Sequence, residues 1–498
     1  YHCLSSGINA EYMGRQRTRQ TSSAMAEKPH IAVVPSPGVG HLIPLAEFAG
    51  RLVHRHGFAV TFFIPSHAPP SSAVTSILAA LPPAVRHVFL PTVSLSDLPA
   101  ADLRIETIIS LTVARSLPAL RAALRPPLAA LVVDLFATDA FDVAAALGVP
   151  RYVFFPASAF ALSLFFHLPR LDAAVAGPYR DVPHPVPIPG CIPIPGSDLL
   201  HPVQDRQNDA YRQVLRHARR YRMADGVLLN SFPEIEPGPI KAFQDEKPPV
   251  YPVGPLVRTG DPNGGAPAGS EECLGWLDEQ PAGSVLFVSF GSGGTLSRRQ
   301  MVELAVGLET SEQRFLWVVR PPDDGASNGC YFNPGGEEGE REGPLGFLPA
   351  GFVERVRLRG AVVPEWAPQT EVLSHRATGG FLSHCGWNST LESVAAGVPL
   401  VAWPLFAEQR MNAAMLVGEV GVALRPAAGE DGVVGREEVA RVVRELMEGE
   451  GGKRVRNRMR ELSALAAKAV GPEGSSEQSL AGVVRKWKAP APATTQST

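Results

Sequence analysis

The sequence predicts an α/β protein built from two doubly wound domains that face each other across a cleft. Two series of short apolar segments, each followed by a segment with apolar residues at helical spacing, support this fold class. A stretch rich in glycine, proline and alanine, residues 259–269, separates the two series. The length of 498 residues also exceeds what one ordinary hydrophobic core organises.

Composition and charge exclude several classes of protein. The chain has 46 basic and 49 acidic residues without a basic stripe, so nucleic acid is not an expected partner. It lacks a run of about 18 apolar residues, which predicts no stable membrane insertion. The cysteines are odd in number and scattered, which favours reduced thiols in a cytoplasmic protein over a disulfide framework or a zinc site. We expect a monomer.

Residues 1–24 are predicted to be a disordered leader. They are polar and rich in arginine, and they lack the apolar centre of a secretory signal. The following Met25 resembles a true start of the folded chain. A plastid transit peptide is the alternative interpretation of this segment.

The first domain is predicted to span residues 25–256, and a linker is predicted at 257–270. Its opening strand at 30–35, helix at 43–56 and strand at 59–64 are typical of a doubly wound fold. A proline-rich segment at 182–195 should be irregular. The further predicted elements are strands at 86–90, 131–133, 151–155 and 226–230, and helices at 107–124 and 137–147.

The second domain is predicted at residues 271–474 and begins with the strand 284–290. Residues 321–345 are rich in glycine and acidic residues, which predicts a mobile surface insertion. A helix at 475–488 is expected to return to the first domain, before a disordered tail at 489–498. The other predicted elements are helices at 298–310, 437–448 and 455–469, and strands at 315–319 and 361–363.

The stretch 366–409 contains the most informative pattern. Its apolar segment 379–383 predicts a strand, a turn follows at 384–386, and a helix is predicted from Asn388 to about Gly397. The free N–H groups and positive dipole at such a helix start favour phosphate. Ser389 and Glu392 also fit a capping box, which would be a purely structural role.

Other residues of this stretch indicate a nucleotide-sugar site. Trp366 offers a flat ring for a base, and Glu392 could accept hydrogen bonds from two sugar hydroxyls. Glu408 and Gln409 follow the next strand, at the carboxyl edge where open α/β sheets bind ligands.

Two residues of the first domain are candidates for proton transfer. His41 follows Gly38-Val39-Gly40, and Asp134 ends the strand at 131–133. A histidine base held by a carboxylate is a common device for deprotonating a hydroxyl. From the residues alone, His41 could equally be a surface histidine, and either Asp134 or Asp139 could cap the following helix.

Residues 366–409 resemble the signature of the plant family-1 UDP-sugar-dependent glycosyltransferases, with no insertion. The resemblance implies the GT-B fold, which consists of two Rossmann-like doubly wound domains, and UDP-glucose as a co-substrate, with no cofactor and no metal. It implies stacking of Trp366 on uracil, ribose contacts from Gln369 and Glu392, and a preference for glucose from Gln409. It also implies phosphate contacts from His384, Asn388 and Ser389, and hexose contacts from Trp387, Glu408 and Gln409.

The resemblance also implies the reaction. His41 would deprotonate the acceptor, Asp134 would hold the resulting imidazolium, and glucose would transfer with inversion. Ser292, in the loop 290–295, could contact the diphosphate, although a simple tight turn explains that loop nearly as well. Asp323 and Asp324 are expected at the surface and not at a metal site.

The acceptor pocket is expected in the first domain. Segments such as PSPGVGHLIPLAEFA and LVVDLFATDAFDVA resemble the hydroquinone glucosyltransferase branch, which implies a small phenol or phenylpropanoid acceptor and a β-D-glucoside product. Aromatic residues near strand ends are also common in protein cores. The candidate acceptor residues are Glu106, Phe136, Phe155, Phe160 and Phe406.

Several other functions are weighed against this one. An oxidoreductase is disfavoured because Ile43 stands at the third glycine position of the dinucleotide fingerprint. A hydrolase is disfavoured because the chain has no G-x-S-x-G elbow. Transfer to nitrogen or carbon, on xenobiotic or flavonoid acceptors, and a non-catalytic nucleotide-sugar-binding protein are the open alternatives.

Overall fold

The computed structural model describes residues 28–98, 103–258, 270–323 and 345–489 of the chain. The predicted leader, most of the linker, most of the insertion and the tail lie outside the described residues. Within them the chain forms two parallel sheets, each flanked by helices. The predicted two-domain α/β fold is therefore confirmed.

The first domain is organised on a seven-stranded parallel sheet. Its strands are β1 (His30–Val34), β2 (Ala59–Ile64), β3 (Val85–Phe89), β4 (Ala130–Asp134), β5 (Arg151–Phe155), β6 (Gly226–Leu229) and β7 (Val250–Pro252). They lie in the order β3-β2-β1-β4-β5-β6-β7. The sheet therefore extends from β1 to β3 on one side and from β4 to β7 on the other. Because both faces of the central strands are buried, these strands are almost continuously apolar.

The helices of the first domain connect these strands and pack on both faces of the sheet. They are α1 (Val39–His56), α2 (Ser72–Ala79), α3 (Ile105–Ala123), α4 (Ala140–Ala146), α5 (Ala159–Ala174), α6 (Asp209–Arg220) and α7 (Pro237–Ala242). The predicted irregular segment 182–195 carries only one isolated bridge, between Val186 and Ile194.

The second domain has a six-stranded parallel sheet. Its strands are β8 (Val285–Ser289), β9 (Arg314–Val319), β10 (Gly360–Pro364), β11 (Thr378–Ser383), β12 (Leu400–Ala402) and β13 (Ala423–Leu424), in the order β10-β9-β8-β11-β12-β13. Its helices are α8 (Ser270–Asp278), α9 (Arg298–Ser311), α10 (Phe352–Val356), α11 (Gln369–Ser374), α12 (Trp387–Ala396), α13 (Gln409–Met415), α14 (Arg436–Met447) and α15 (Glu450–Ala469).

Several predicted helix starts differ from the structure. Helix α4 begins at Ala140 and not at 137, and helix α15 begins at Glu450 and not at about 455. Helix α1 begins at Val39 and not at Ile43, because Gly38 at φ 131° completes the turn after β1, so His41 lies in the first helical turn. Helix α12 begins at Trp387 after Gly386, so Ser389 is already inside the helix and cannot be its N-cap. The predicted capping box is therefore absent.

The last helix, α16 (Ser475–Lys488), packs on the first domain, on the face formed by β7 and α1. The Trp487 ring meets Phe58 and Tyr152 edge-on, at centroid distances of 5.9 and 5.1 Å. The chain thus crosses between the domains twice, once before α8 and once between α15 and α16.

Both crossings are bound by arginines one turn apart on α1. Arg51 donates to the carbonyls of Val253 and Pro255 at the first crossing, at 3.2 and 2.7 Å. Arg55 donates to the Val470 carbonyl at 3.0 Å and to Glu477 at 2.7 Å at the second crossing. The two crossings therefore lie side by side at the carboxyl end of α1.

In the described ranges, no helix has the length and apolar character that a membrane span requires.

Replacing Trp487 by alanine should lower the free energy of unfolding by about 3–5 kcal/mol, because a large buried ring is lost from the face between α16 and the first sheet. Urea denaturation followed by circular dichroism would measure this loss. Leu358→Ala is the control, since Leu358 is 81% exposed and its removal should change stability by less than about 0.5 kcal/mol. Equal effects of the two substitutions would contradict the assigned packing of α16.

Candidate active site

A cavity of about 1090 Å³ lies between the two sheets, where the carboxyl ends of their strands face each other. Residues that follow β1, β4 and β5 line it from the first domain, and residues that follow β8 to β12 line it from the second. This volume lies at the upper end of the ~300–1,000 Å³ that is usual for a pocket that binds a drug-sized ligand.

His41 and Asp134 are in direct contact on the first-domain side of the cavity. The Nδ1 of His41 lies 2.8 Å from Oδ2 of Asp134, which is fully buried at the end of β4. This contact leaves Nε2 of His41 as the nitrogen available to the cavity. The rival candidate Asp139 forms a two-point ion pair with Arg216 and does not contact His41.

The charges around His41 determine its protonation. Burial alone would lower the pKa of His41, but the charge and hydrogen bond of Asp134 and the charge of Glu408 raise it above the ordinary value. The imidazolium form is therefore favoured by two carboxylates, which is suited to a base that must hold a proton after taking it.

Gln369, Ser389 and Glu392 form one polar cluster in the second domain. The Nε2 of Gln369 donates to Ser389 Oγ at 2.9 Å and to Glu392 Oε2 at 2.5 Å. Burial raises the pKa of Glu392 to about 7. All three residues line the cavity, as the prediction of a ribose and phosphate site requires.

Trp366 lines the cavity and is about half exposed. The preceding Glu365 adopts φ 60°, which turns the backbone sharply after β10. The guanidinium of Arg320 donates to the carbonyls of Glu365 and Gly291 and so ties this loop to the loop after β8. The sequence gives no signal for this role of Arg320.

His384 is enclosed by glycines. A Cβ atom at Gly291 or Gly386 would lie within 2.5 Å of its ring. Burial and the charge of Arg320 lower the pKa of His384 to about 4, so the ring is neutral at physiological pH. Its Nδ1 has no hydrogen-bond partner in the described part of the chain. Ser292 lines the cavity beside this ring.

Asn388 and Trp387, at the start of α12, both bond to the first domain. The Nδ2 of Asn388 donates to the Gly40 carbonyl at 2.8 Å, and the indole N–H of Trp387 donates to the Asn230 carbonyl at 2.7 Å. Pro44 cannot donate the helical hydrogen bond that the Gly40 carbonyl would otherwise accept, so Asn388 supplies the missing donor. The resemblance did not reveal these contacts between the domains.

Glu408 and Gln409 both line the cavity after β12. Glu408 is buried, which raises its pKa, and it accepts a hydrogen bond from Asn412 Nδ2 at 3.4 Å. The Oε1 of Gln409 accepts the N–H groups of Leu405 and Phe406 at 2.8 and 2.9 Å. Gln409 thus fixes the loop that carries Phe406 and Glu408.

The structure places four of the five predicted acceptor residues at the cavity. Glu106, Phe136, Phe155 and Phe406 line it, and burial raises the pKa of Glu106. The structure does not place Phe160 there: this residue of α5 is 1% exposed in the hydrophobic core and does not line the cavity. Sequence position near a strand end could not distinguish Phe160 from the other aromatic residues.

No group of three or more metal-ligating side chains occurs in residues 28–98, 103–258, 270–323 and 345–489.

Comparison with known proteins identifies the family. A model described as UDP-glucoronosyl and UDP-glucosyl transferase matches residues 265–466. A hydroquinone glucosyltransferase of Rauvolfia serpentina is 57% identical over 93% of this chain and 99% of its own length. This chain belongs to the UDP-glycosyltransferase family. UDP-glycosyltransferase 72B1 of Arabidopsis thaliana is 55% identical over 93% of this chain and 97% of its own.

Solved structures of family members share the fold. UGT2 of Phytolacca americana, in complex with UDP-2fluoro-glucose and pterostilbene, has a TM-score of 0.83 and 49% identity, covering 93% of this chain and all of that one. A UDP-glucosyltransferase of Polygonum tinctorium described as capable of glucosylating indoxyl, in complex with 3,4-dichloroaniline, has a TM-score of 0.84 and 51% identity, covering 94% of this chain and all of that one. The predicted GT-B fold and family are confirmed.

Gly291→Ala should disturb His384, because the new methyl group would lie 2.5 Å from its ring. Gly283→Ala is a matched control, since Gly283 has a similarly positive φ, 64° against 74°, and open space around it. Both substitutions should cost about 1–3 kcal/mol of stability from backbone strain. Only Gly291→Ala should also weaken UDP binding in isothermal titration calorimetry. Equal UDP affinity of the two variants would show that the His384 position does not matter for the donor site.

Proposed function

We propose that this family member transfers glucose from UDP-glucose to the hydroxyl of a small phenolic acceptor, with inversion at the anomeric carbon. The observation that carries the proposal is the His41–Asp134 pair, which faces the cavity opposite the start of α12. The names of the relatives support the donor and the acceptor class, since the Rauvolfia enzyme is a hydroquinone glucosyltransferase.

In the proposed reaction, Nε2 of His41 takes the proton of the acceptor hydroxyl. The acceptor oxygen forms a bond to the anomeric carbon while the bond from that carbon to the UDP oxygen breaks, and UDP leaves with the electron pair. Asp134 stabilises the imidazolium. The N–H groups at the start of α12 stabilise the charge that develops on the diphosphate.

The donor occupies the second-domain side of the cavity in this proposal. Trp366 stacks on uracil, and the cluster of Gln369 and Glu392 binds ribose. The phosphates contact Ser292, His384, Asn388 and Ser389, and glucose contacts Trp387, Glu408 and Gln409. The Asn388 amide already donates to the Gly40 carbonyl. It can therefore bind the phosphate only if it donates to both groups or if its contact with Gly40 breaks.

The acceptor occupies the first-domain side, between Phe136, Phe155 and Phe406, with Glu106 as a polar group. The enzyme acts as a cytoplasmic monomer. Transfer to an aryl nitrogen is the second candidate, because the similar Polygonum enzyme was solved with 3,4-dichloroaniline.

A transfer assay read by mass spectrometry tests the reaction. The enzyme with UDP-glucose should add a hexose to hydroquinone and coniferyl alcohol more efficiently than to a flavonol, and a chloroaniline should reveal any transfer to nitrogen. His41→Ala should lose transfer to phenols by about 10²–10⁴-fold, the usual contribution of a general base, and keep its UDP affinity. No hexose adduct on any acceptor, with UDP still bound, would overturn the proposed function. Full turnover by His41→Ala would overturn the base assignment.

The pH dependence of kcat/KM tests the role of Asp134. His41 must be neutral to act as a base, so activity should be lost as the pH falls through its pKa, which the two carboxylates hold above 6.5. Asp134→Asn removes one of these charges, so the acidic limb should move to lower pH while the plateau falls at least about tenfold. Asp139→Asn is the matched control and should leave the position of the limb unchanged. An unmoved limb in Asp134→Asn would contradict the assigned pairing.

A further inference from the structure

His217 is a buried histidine that the proposed mechanism does not use. It lies in the last turn of α6, fully buried and outside the cavity. Its Nδ1 is 2.7 Å from Thr138 Oγ1, and its Nε2 is 3.0 Å from Ser110 Oγ. Both ring nitrogens are therefore engaged with hydroxyls that are themselves fully buried.

The donors and acceptors of the hydrogen bonds around His217 can be assigned consistently. The Ser110 hydroxyl donates to the Glu106 carbonyl at 2.7 Å, so its oxygen is free to accept from Nε2–H of His217. The other nitrogen, Nδ1, then accepts from the Thr138 hydroxyl. Burial and the charges of Arg216 and Arg220 lower the pKa of His217 well below its usual range, which fits this neutral form. In this chain of hydrogen bonds, which runs from Thr138 through His217 and Ser110 to the Glu106 carbonyl, each hydroxyl and each ring nitrogen has a partner.

This chain joins two walls of the acceptor side of the cavity. Thr138 belongs to the loop after β4, in which Leu135 and Phe136 line the cavity. Ser110 lies one helical turn after Glu106, which lines the cavity from α3. The His217 ring also meets the Phe136 ring edge-on, at a centroid distance of 5.7 Å.

Three neighbours of His217 in sequence bond to the loop after β4. Arg216 pairs with Asp139, Arg220 donates to the Thr138 carbonyl at 3.2 Å, and the Tyr221 hydroxyl donates to the Leu135 carbonyl at 3.1 Å. His217 is the member of this group that also reaches α3. His217 therefore joins this loop to α3 through its two ring nitrogens.

We propose that His217 is a positioning residue that sets the spacing between Phe136 and Glu106 and thereby selects acceptors by size. The inference rests on the proposed function of this side of the cavity. It concerns the acceptor alone, because the chain of hydrogen bonds does not reach the second-domain residues of the donor side.

The test uses Thr138→Val and Ser110→Ala, each of which removes one hydroxyl from the chain, their double variant, and His217→Gln. Each single variant should raise the KM for hydroquinone about three- to tenfold and reduce the preference for hydroquinone over a flavonol. The KM for UDP-glucose should stay within about twofold of the wild type, since the donor side is not touched. The double variant should be no worse than either single variant, because both bonds act through one histidine.

His30→Gln is the matched control. It breaks a histidine–threonine hydrogen bond of 2.9 Å, to Thr61, in the same domain but at the amino end of β1. This variant should lose some stability and keep its acceptor preference. Thermal melting of every variant separates a loss of folding from a change of selectivity, and Ser110→Ala carries the test if His217→Gln does not fold.

The outcomes separate the two proposals. An active wild type whose variants keep the hydroquinone preference, or whose single effects add in the double variant, would overturn the role of His217 alone. A wild type that transfers glucose to no phenol would overturn the proposed function and this inference together. A lost preference in His30→Gln would show that general destabilisation, and not the His217 chain, changes selectivity.

Discussion

A hydrogen bond from the Asn388 amide to the Gly40 carbonyl links the two domains beside the proposed base, and it replaces a donor that the helix itself lacks. Pro44 lacks the N–H that would complete the first turns of α1, and the Gly40 carbonyl that is left open accepts the Asn388 amide from the second domain. Gly40 precedes His41, and Asn388 lies at the start of α12. The same contact therefore holds the helix that carries the proposed base against the helix that faces the proposed diphosphate.

Much of this arrangement is predictable from sequence, for a physical reason. The carboxyl ends of parallel strands meet at one edge of a sheet, so polar residues that follow apolar strands are brought together whatever lies between them. His41 and Asp134 are 2.8 Å apart although they are distant in sequence. The cluster of Gln369, Ser389 and Glu392 lies within one continuous stretch, where local spacing already places the residues near each other.

The features that sequence did not reveal depend on distant partners. Arg320 looks like an ordinary charged residue at the end of β9, and its role follows only from the two loops that it bonds. Phe160 and Phe136 have the same side chain near the end of a strand, yet only Phe136 points into the cavity. The sequence predicts the start of α1 at Ile43 because glycines and a proline usually indicate a loop. In the structure they allow a helix from Val39, and its open Gly40 carbonyl accepts a hydrogen bond from the other domain.

The two crossings of the chain, bonded by Arg51 and Arg55, lie together at one end of α1. Gly40 is about 22 Å from Arg55 along the helix axis at 1.5 Å per residue. If one domain rotates about the crossings, Gly40 lies one helix length from the axis of rotation. Each degree of rotation then shifts the second domain relative to Gly40 by roughly 0.4 Å. A rotation of only a few degrees is then enough to break the Asn388 contact.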